Sequence, residues 1–265
     1  MSQNPFNNQV IEVFPNKLTF HFINIENYDS AFINFIDSNI VSVYNSTYEP
    51  DDISLIKMQI KDWLDQKSSD EKKKSGFIAE FICHLYISTL KFEQHFIFEN
   101  LEEIGSMKKG LDGLYRLDNE MWIYESKSSI YTTENAKHNS NISEAYNDMK
   151  AKLAGTKTNK SGDPISPWSN AVHHVKVADI EDNQSLLSEL KTLRKRFINK
   201  DYEDIGRYNV IPSSTIFLED KYCDIHNDLE DKLKKMIARY GYNKMHVLCI
   251  NKKSVNDFIG YINGV

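Results

Sequence analysis

The sequence predicts an α/β protein with a mixed central sheet flanked by helices, plus a small N-terminal lobe. In the last third of the chain, apolar segments of strand length alternate with segments of helical periodicity, which is the pattern of an α/β sheet. Residues 111–128, LDGLYRLDNEMWIYESKS, read as a β-hairpin. Both faces of this hairpin are largely apolar, so we expect a central strand pair covered by helices on both sides.

Residues 1–70 are predicted to form the separate α+β lobe. Leu18–Ile25 and Ile40–Tyr44 are rich in β-branched and aromatic residues and are predicted as strands. Between Pro50 and Lys67, isoleucines and Trp63 recur at helical spacing, which predicts a helix. The run DEKKKSG that follows is predicted to be a solvated linker.

Residues 71–265 are predicted to form the larger domain, with an inserted loop and helix around 155–210. It is expected to open with a strongly apolar helix, Gly76–Leu90. A strand at Phe92–Phe98 should lead through Glu102–Gly110 into the hairpin. The elements predicted after the hairpin are a helix at Ser143–Leu153 with Ser143 as N-cap, a loop at Gly155–Asn170, a strand at Ala171–Ile180, a basic helix at Leu186–Ile198, a strand at Ser214–Leu218, a helix at Cys223–Tyr240, a strand at Met245–Ile250 and a helix at Ser254–Ile262.

Composition is that of an ordinary globular protein. The chain has 265 residues, 40% of them hydrophobic and 26% charged. No segment approaches 18 uninterrupted apolar residues and the first residues carry no signal-peptide pattern, so we expect a cytoplasmic protein with no membrane partner. The three cysteines form no CxxC pair and are expected to be reduced core residues.

The turn of the hairpin determines which residues face each other. If Asp118 and Asn119 form a two-residue turn, the numbers of opposed residues sum to 237. Asp112 then lies opposite Glu125, and like charges at that spacing repel unless a cation lies between them. Side chains alternate along a strand, so Glu125 and Lys127 share a face while Ser126 turns away.

These residues suit metal-dependent phosphodiester hydrolysis. Asp112 and Glu125 are predicted to hold one or two Mg²⁺ ions, or Mn²⁺ in their place, with the carbonyl of Ser126 as a further ligand. Lys127 would orient the attacking water or stabilise developing charge. Beside a divalent cation the pKa of Lys127 should fall, which leaves a base role open.

The helix at Gly76–Leu90 carries two further polar side chains on one face. Glu80 lies among apolar neighbours, where a carboxylate is seldom left without a cation or donor, so it is predicted to complete the metal shell directly or through water. His84, one turn later, is read as a hydrogen-bonded structural histidine. His173 and His174 are adjacent and are likewise read as structural, with at most one of them contacting substrate.

An acid on a helix, a strand beginning with Asp112 and a following strand with Glu125-x-Lys127 resemble the PD-(D/E)XK nuclease superfamily. Leu111 stands where the name of the motif has proline, a position that varies in the superfamily. The resemblance implies a restriction-endonuclease-like core. It also implies catalytic roles for Glu80, Asp112, Glu125 and Lys127.

More narrowly, the chain resembles the HamA nuclease subunits of bacterial Hachiman anti-phage systems. The features that carry this resemblance are the start of the helix at Gly76–Glu80, the GLDG segment Gly110–Gly113, the tripeptide Glu125-Ser126-Lys127 and the overall size. It implies a DNA-degrading effector in a hetero-complex with a superfamily-2 helicase, HamB. The net charge of −6 agrees with a partner that supplies much of the DNA affinity.

Three other functions stay open at this point. A restriction or repair endonuclease acting alone would need a contiguous basic groove, and RNA is an alternative substrate. A nuclease fold without activity could serve as an interaction module. The hairpin pattern could also be accidental in an unrelated α/β binding protein.

Overall fold

The centre of the protein is a seven-stranded sheet. The computed structural model describes residues 5–15, 17–45, 48–99, 110–134, 136–177, 184–225 and 228–264. The strands are β1 (Asn7–Phe14), β2 (Leu18–Ile25), β3 (Glu93–Gln94), β4 (Gly113–Leu117), β5 (Glu120–Ile130), β6 (Asn209–Phe217) and β7 (Lys244–Lys252).

The sheet is mixed, in the order β1-β2-β7-β6-β5-β4-β3. Its four central strands, β2, β7, β6 and β5, are parallel. Antiparallel neighbours extend it at both edges, β1 beside β2 and the pair β4 and β3 beside β5. The predicted α/β class with a mixed central sheet is therefore confirmed.

Helices cover both faces of this sheet, as the two apolar faces of the hairpin predict. They are α1 (Ser30–Tyr44), α2 (Ile53–Gln66), α3 (Glu71–Ile87), α4 (His138–Leu153), α5 (Ala171–Val177), α6 (Gln184–Ile198), α7 (Asp228–Ile237) and α8 (Asn256–Asn263). In the described part of the chain, no helix is both long and apolar enough to cross a membrane.

The core lies in two hydrophobic clusters, one on each face. Helices α1, α2, α3 and α8 contribute to the first cluster, together with Tyr115, Trp122 and Tyr124 of the hairpin. Helices α4 to α7 contribute to the second, together with Leu114 and Ile123. Because side chains alternate along a strand, the hairpin is buried on both faces.

The predicted boundary at residue 70 stays a prediction. Strand β2 pairs in parallel with β7, so the first strands belong to the same sheet as the last one. Ile36 and Ile60, before the boundary, share a hydrophobic cluster with Phe81 and Phe258, after it.

The predicted strand at Ile40–Tyr44 is wrong, because these residues form the end of α1. The helix starts at the N-cap Asp29, whose carboxylate accepts a hydrogen bond from the Phe32 amide at 2.8 Å. Phe32, Ile36 and Ile40 are buried at the spacing of one helical face. The short apolar run at 40–44 is the last part of that face.

The predicted linker DEKKKSG is also wrong, because it forms the first turns of α3. Asp70 is the N-cap, and its carboxylate accepts a hydrogen bond from the amide of Lys73 at 3.0 Å. The charged run is therefore a capped helix start, in which an acid favours the positive end of the helix dipole.

The predicted strand at Ala171–Ile180 is helix α5 over Ala171–Val177, and residues 178–180 lie outside the described residues. Ala171, Val172 and Val175 are buried, which is the spacing of a helix rather than of a strand. His174 is buried and stacks on Phe96 with ring centroids 4.7 Å apart. His173 is exposed, and the expectation that at most one of the two histidines contacts substrate stays a prediction.

Several predicted boundaries shift. The strand expected at Phe92–Phe98 is limited to β3, and residues 100–109 of the expected connection lie outside the described residues. Helix α4 starts five residues before the predicted N-cap, with Ser143 inside the helix. Of the helix expected at Cys223–Tyr240, α7 spans Asp228–Ile237, and residues 226 and 227 lie outside the described residues. Cys223 is exposed rather than a core residue, whereas Cys83 and Cys249 are buried.

Candidate functional site

The hairpin has the register that its turn predicts. Leu117 pairs with Glu120 and Gly113 with Tyr124, so opposed residues sum to 237. Asp118 and Asn119 have φ values of 52° and 63°, both in the left-handed region that a two-residue hairpin turn requires. The local sequence therefore brings Asp112, just before β4, to the level of Glu125 on β5.

Gly113 lets the hairpin seat closely against α3. A Cβ at this position would lie 2.9 Å from a ring carbon of Tyr124 and 3.2 Å from one of His84. Both rings are buried, so a side chain at this position would have to displace packed neighbours. The glycine next to Asp112 is therefore required by packing on the helix that carries Glu80.

Asp112 is held by the opposite strand. The backbone amide of Ser126 donates a hydrogen bond to Asp112 Oδ2 at 2.8 Å. Burial and the negative charge of Glu80 raise the pKa of Asp112, against Lys152, Lys127 and the Ser126 hydrogen bond. Ser126 thus positions Asp112 through its amide, and the metal-ligand role of its carbonyl stays a prediction.

Glu125 is buried and contacts two lysines. Lys127 Nζ donates to Glu125 Oε1 at 2.9 Å, which confirms that these two side chains share a face. Lys152 Nζ, from the last turn of α4, donates to Oε1 at 2.9 Å and to Oε2 at 2.8 Å. Burial and the charge of Asp112 raise the pKa of Glu125 to about 8, although both ammonium groups act to lower it.

Asp148 on α4 joins the two lysines at a second carboxylate. Its Oδ2 lies 3.2 Å from Lys127 Nζ and 3.3 Å from Lys152 Nζ, and its Oδ1 accepts from Lys157. Although burial acts to raise the pKa of Asp148, a hydrogen bond with Glu125 and the charge of Lys152 hold it well below its usual range. Asp148 is therefore ionised at neutral pH.

Lys127 carries a positive charge in this environment. Burial acts to lower its pKa, but Glu125, Asp112 and Asp148 together raise it above its ordinary value. These charges are those of the chain alone, so the expectation that a divalent cation lowers the pKa of Lys127 stays a prediction. A protonated Lys127 suits charge stabilisation better than a base role.

Glu80 faces this cluster from α3. Its charge acts on Asp112, so the predicted acid on the helix does lie near the acid at the start of β4. His84 Nε2 lies 3.6 Å from Glu80 Oε1, and His84 Nδ1 shares a hydrogen bond with the Tyr115 hydroxyl. His84 is fully buried and structural, as expected, and it contacts Glu80 one helical turn away.

The structure therefore brings together all four predicted catalytic residues, Glu80, Asp112, Glu125 and Lys127. The positive charge that the register argument required is supplied by Lys127 and Lys152. Among the described residues, no group of three or more His, Cys, Asp or Glu side chains has the geometry of a formed metal site.

The donor chemistry nevertheless fits a hard divalent cation. Glu80, Asp112 and Glu125 all offer carboxylate oxygens, which Mg²⁺ and Mn²⁺ accept. Asp112 raises the pKa of Glu125, and Glu80 raises that of Asp112, so the charge of Asp112 interacts with each of the other two acids. A cation bound to these carboxylates would reduce the repulsion between their negative charges. It would itself be repelled by the ammonium groups of Lys127 and Lys152, which contact Glu125.

Asp148 and Lys152 were not found from the sequence. Their spacing of four residues on a predicted helix is typical of a surface ion pair, and it carries no sign of a partner on another element. The signal that could have found them is burial. Lys152 is only 6% exposed and lies among the residues of α4 that face the sheet.

No protein-family model, curated protein or solved structure matches this chain, so its function has to be argued from its own residues.

Proposed function

We propose that this chain is a metal-dependent nuclease that hydrolyses DNA phosphodiester bonds, and that it is the effector of an anti-phage defence complex. The observation that carries this proposal is the convergence of Asp112, Glu125 and Lys127 on one end of the hairpin, with Glu80 facing them from α3. Charged groups buried together in this way are costly unless they serve a function.

The order of elements around the site supports a restriction-endonuclease-like core. Helix α3, which carries Glu80, precedes the β4–β5 hairpin, and the chain then passes through α4, α5 and α6 to β6, which pairs in parallel with β5. Every proposed catalytic residue lies on α3 or on the hairpin. The site is therefore built on regular elements of the sheet, which hold side chains more precisely than loops do.

Asp112, Glu125 and Glu80 would hold Mg²⁺ or Mn²⁺, with the carbonyl of Ser126 as a further ligand. The cation, when bound, would lower the pKa of a water molecule and neutralise charge on the phosphate. The amide of Ser126 keeps Asp112 in place through its 2.8 Å hydrogen bond. Lys127, protonated and 21% exposed at its side chain, would contact the phosphate and stabilise the charge that develops there.

The net charge of the chain favours a partner protein that binds DNA. A nuclease with a net charge of −6 has little long-range attraction for DNA, because phosphate binding normally needs a cationic surface. A superfamily-2 helicase such as HamB would supply that affinity and would also allow the activity to be regulated. A restriction or repair endonuclease acting alone, or one that cleaves RNA, is the alternative that does without this partner.

A second function is favoured by one specific observation. Lys127 and Lys152 already neutralise Glu125 through contacts of 2.8 and 2.9 Å. Such a satisfied ion cluster is also what a catalytically silent nuclease fold would contain if it served as an interaction module.

The test is incubation of the purified chain with plasmid DNA, with and without Mg²⁺. We expect cleavage that depends on the metal and that falls by about 100-fold or more in Glu125→Ala/Lys127→Ala, because both a ligand and a charge-stabilising group are lost. The matched control is Glu144→Ala/Lys150→Ala, which removes the same residue types from exposed positions of α4 and should cleave as the wild type does. A labelled RNA in parallel reactions separates the two substrates.

Two outcomes would contradict the proposal. Metal-dependent cleavage that survives the Glu125→Ala/Lys127→Ala substitution would show that another site acts. If the wild type cleaves neither alone nor with a co-purified helicase partner, the silent interaction module becomes the better explanation. Glu125→Gln/Lys127→Met, which preserves the side-chain volumes, repeats the comparison if the alanine variant does not fold.

A further inference from the structure

Lys152 is the most buried cation of the candidate site. It lies in the last turn of α4, and its side chain is 7% exposed. Its ammonium group contacts both oxygens of Glu125, at 2.9 and 2.8 Å, and Asp148 Oδ2 at 3.3 Å. Lys127, by comparison, contacts one oxygen of Glu125, and its side chain is 21% exposed.

Lys152 lies in a cluster of several acids and ammonium groups. Asp112, Glu125 and Asp148 act on Lys152, and Glu80 acts on Asp112. The ammonium groups of Lys127, Lys152 and Lys157 contact Glu125 or Asp148. A divalent cation at Glu125 would add two positive charges beside two ammonium groups, and like charges in such a partly buried site repel strongly. One ammonium group therefore has to leave Glu125 before a cation can bind there.

Lys152 has a second carboxylate within reach. Asp148 lies one helical turn before it on α4 and already contacts its ammonium group at 3.3 Å, so Lys152 can give up Glu125 and keep Asp148 as its partner. Asp148 would then keep the displaced charge paired. The arrangement allows exchange without leaving a buried ammonium unpaired.

We propose that Lys152 is a positioning residue that occupies the place of the divalent cation at Glu125 and keeps only Asp148 as its partner when the cation binds. This inference rests on the proposed metal-dependent function. It assigns to α4 a role in the site that the hairpin motif does not include. Lys152 keeps Glu125 oriented in the metal-free chain. It also lowers the affinity of the site for the cation, because the two compete for Glu125.

The experiment measures Mn²⁺ binding to the full chain by calorimetry. Lys152→Met removes the ammonium with little change in length, and we expect it to bind Mn²⁺ on the order of tenfold more tightly than the wild type, since one competing charge is gone. Lys152→Arg keeps the positive charge and should bind no more tightly than the wild type. Lys150→Met, at an exposed position of the same helix, is the matched control and should leave the affinity unchanged.

A merely structural role predicts the opposite result, because a damaged site loses affinity. The inference is overturned if Lys152→Met binds Mn²⁺ no more tightly than the wild type. If Lys152→Met is poorly folded without metal, its thermal midpoint provides the second measurement. Mn²⁺ should raise the midpoint of this variant more than that of the wild type, and an equal or smaller rise also overturns the inference.

Failure of this inference is distinct from failure of the proposed function. If the wild type cleaves DNA with Mg²⁺ but Lys152→Met gains no affinity, only the role of Lys152 is wrong. If no variant binds Mn²⁺ and the wild type does not cleave, the metal site itself is wrong and both proposals fall.

Discussion

The two ends of helix α4 hold two buried polar networks of different kinds. At its start, His138 Nδ1 shares a hydrogen bond of 2.8 Å with Ser214 Oγ, and His138 Nε2 shares one of 2.9 Å with Asn251 Oδ1. At its end, Lys152 contacts both oxygens of Glu125. One helix thus joins a network of neutral groups to a network of ions.

The two networks differ in whether their groups carry charge, and therefore in whether a metal cation can compete for their oxygens. Burial lowers the pKa of His138 to about 4, so the imidazole is neutral at physiological pH and bonds to neutral partners. At the other end both lysines stay protonated beside carboxylates, so a cation of higher charge can compete for the same oxygens.

A cavity beside the neutral network does not change this contrast. It has a volume of about 450 Å³ and is lined by both His138 and Asn251. The side-chain groups that these two residues present are already hydrogen bonded, to each other, to Ser214 and to the carbonyl of Cys223. The neutral end is therefore interpreted as structural, and the ionic end as the site of function.

The largest effect on stability is expected at the ionic end. Lys152→Ala leaves the buried Glu125 with only Lys127, and breaking a buried ion pair from one side costs about 3–5 kcal/mol of unfolding free energy. Denaturant unfolding of this variant beside Lys150→Ala, an exposed lysine on the same helix, measures the difference. A loss below about 1 kcal/mol would mean that the pair of Lys152 and Glu125 contributes no more to the unfolding free energy than an exposed ion pair does.

The neutral end should respond to pH instead. The pKa of His138 is lowered in the folded chain, so the unfolded chain takes up a proton first, and stability falls as the pH drops from the ordinary value of 6.5 towards about 4. His138→Gln cannot titrate and should lose about 2 kcal/mol less than the wild type between about pH 7 and about pH 5.

Denaturant unfolding across this pH range measures that effect. His21 and His246 also have lowered pKa values, of about 3 and about 4, so the variant keeps part of the pH dependence. His173→Gln, at an exposed histidine, is the control and should follow the wild type. If His138→Gln has the same pH slope as the wild type, the imidazole is not neutral in the folded protein.

The smallest effect is expected at the rim of the ionic network. Lys157 pairs with Asp148, but its side chain is 46% exposed, and solvent screens such a contact. Lys157→Met should change the unfolding free energy by less than about 1 kcal/mol, close to the change for Lys160→Met on the same exposed segment. A loss of unfolding free energy as large as that of Lys152→Ala would show that Lys157 contributes to stability as strongly as the buried lysine does.

The elements that the sequence predicted best are those with strong local signals. Strand β2 has the predicted bounds Leu18–Ile25, and the hairpin has the predicted register. The left-handed turn at Asp118 and Asn119 is a local property, and it sets the alignment of every pair that follows. Two strand predictions failed instead. The five residues 40–44 and the alternating segment 171–180, of which 171–177 form α5, fit a buried helix face as well as a strand.

The sequence by itself determined that Asp112, Glu125 and Lys127 share one end of the hairpin, because strand alternation and turn geometry act over a few residues. Only the tertiary structure decided what balances their charge. Lys152 lies 27 residues from Glu125 along the chain, and it reaches that carboxylate because α4 packs across β5 and β6. That packing follows from the burial of many apolar side chains at once, so the partner of Glu125 could not be inferred from the residues around it.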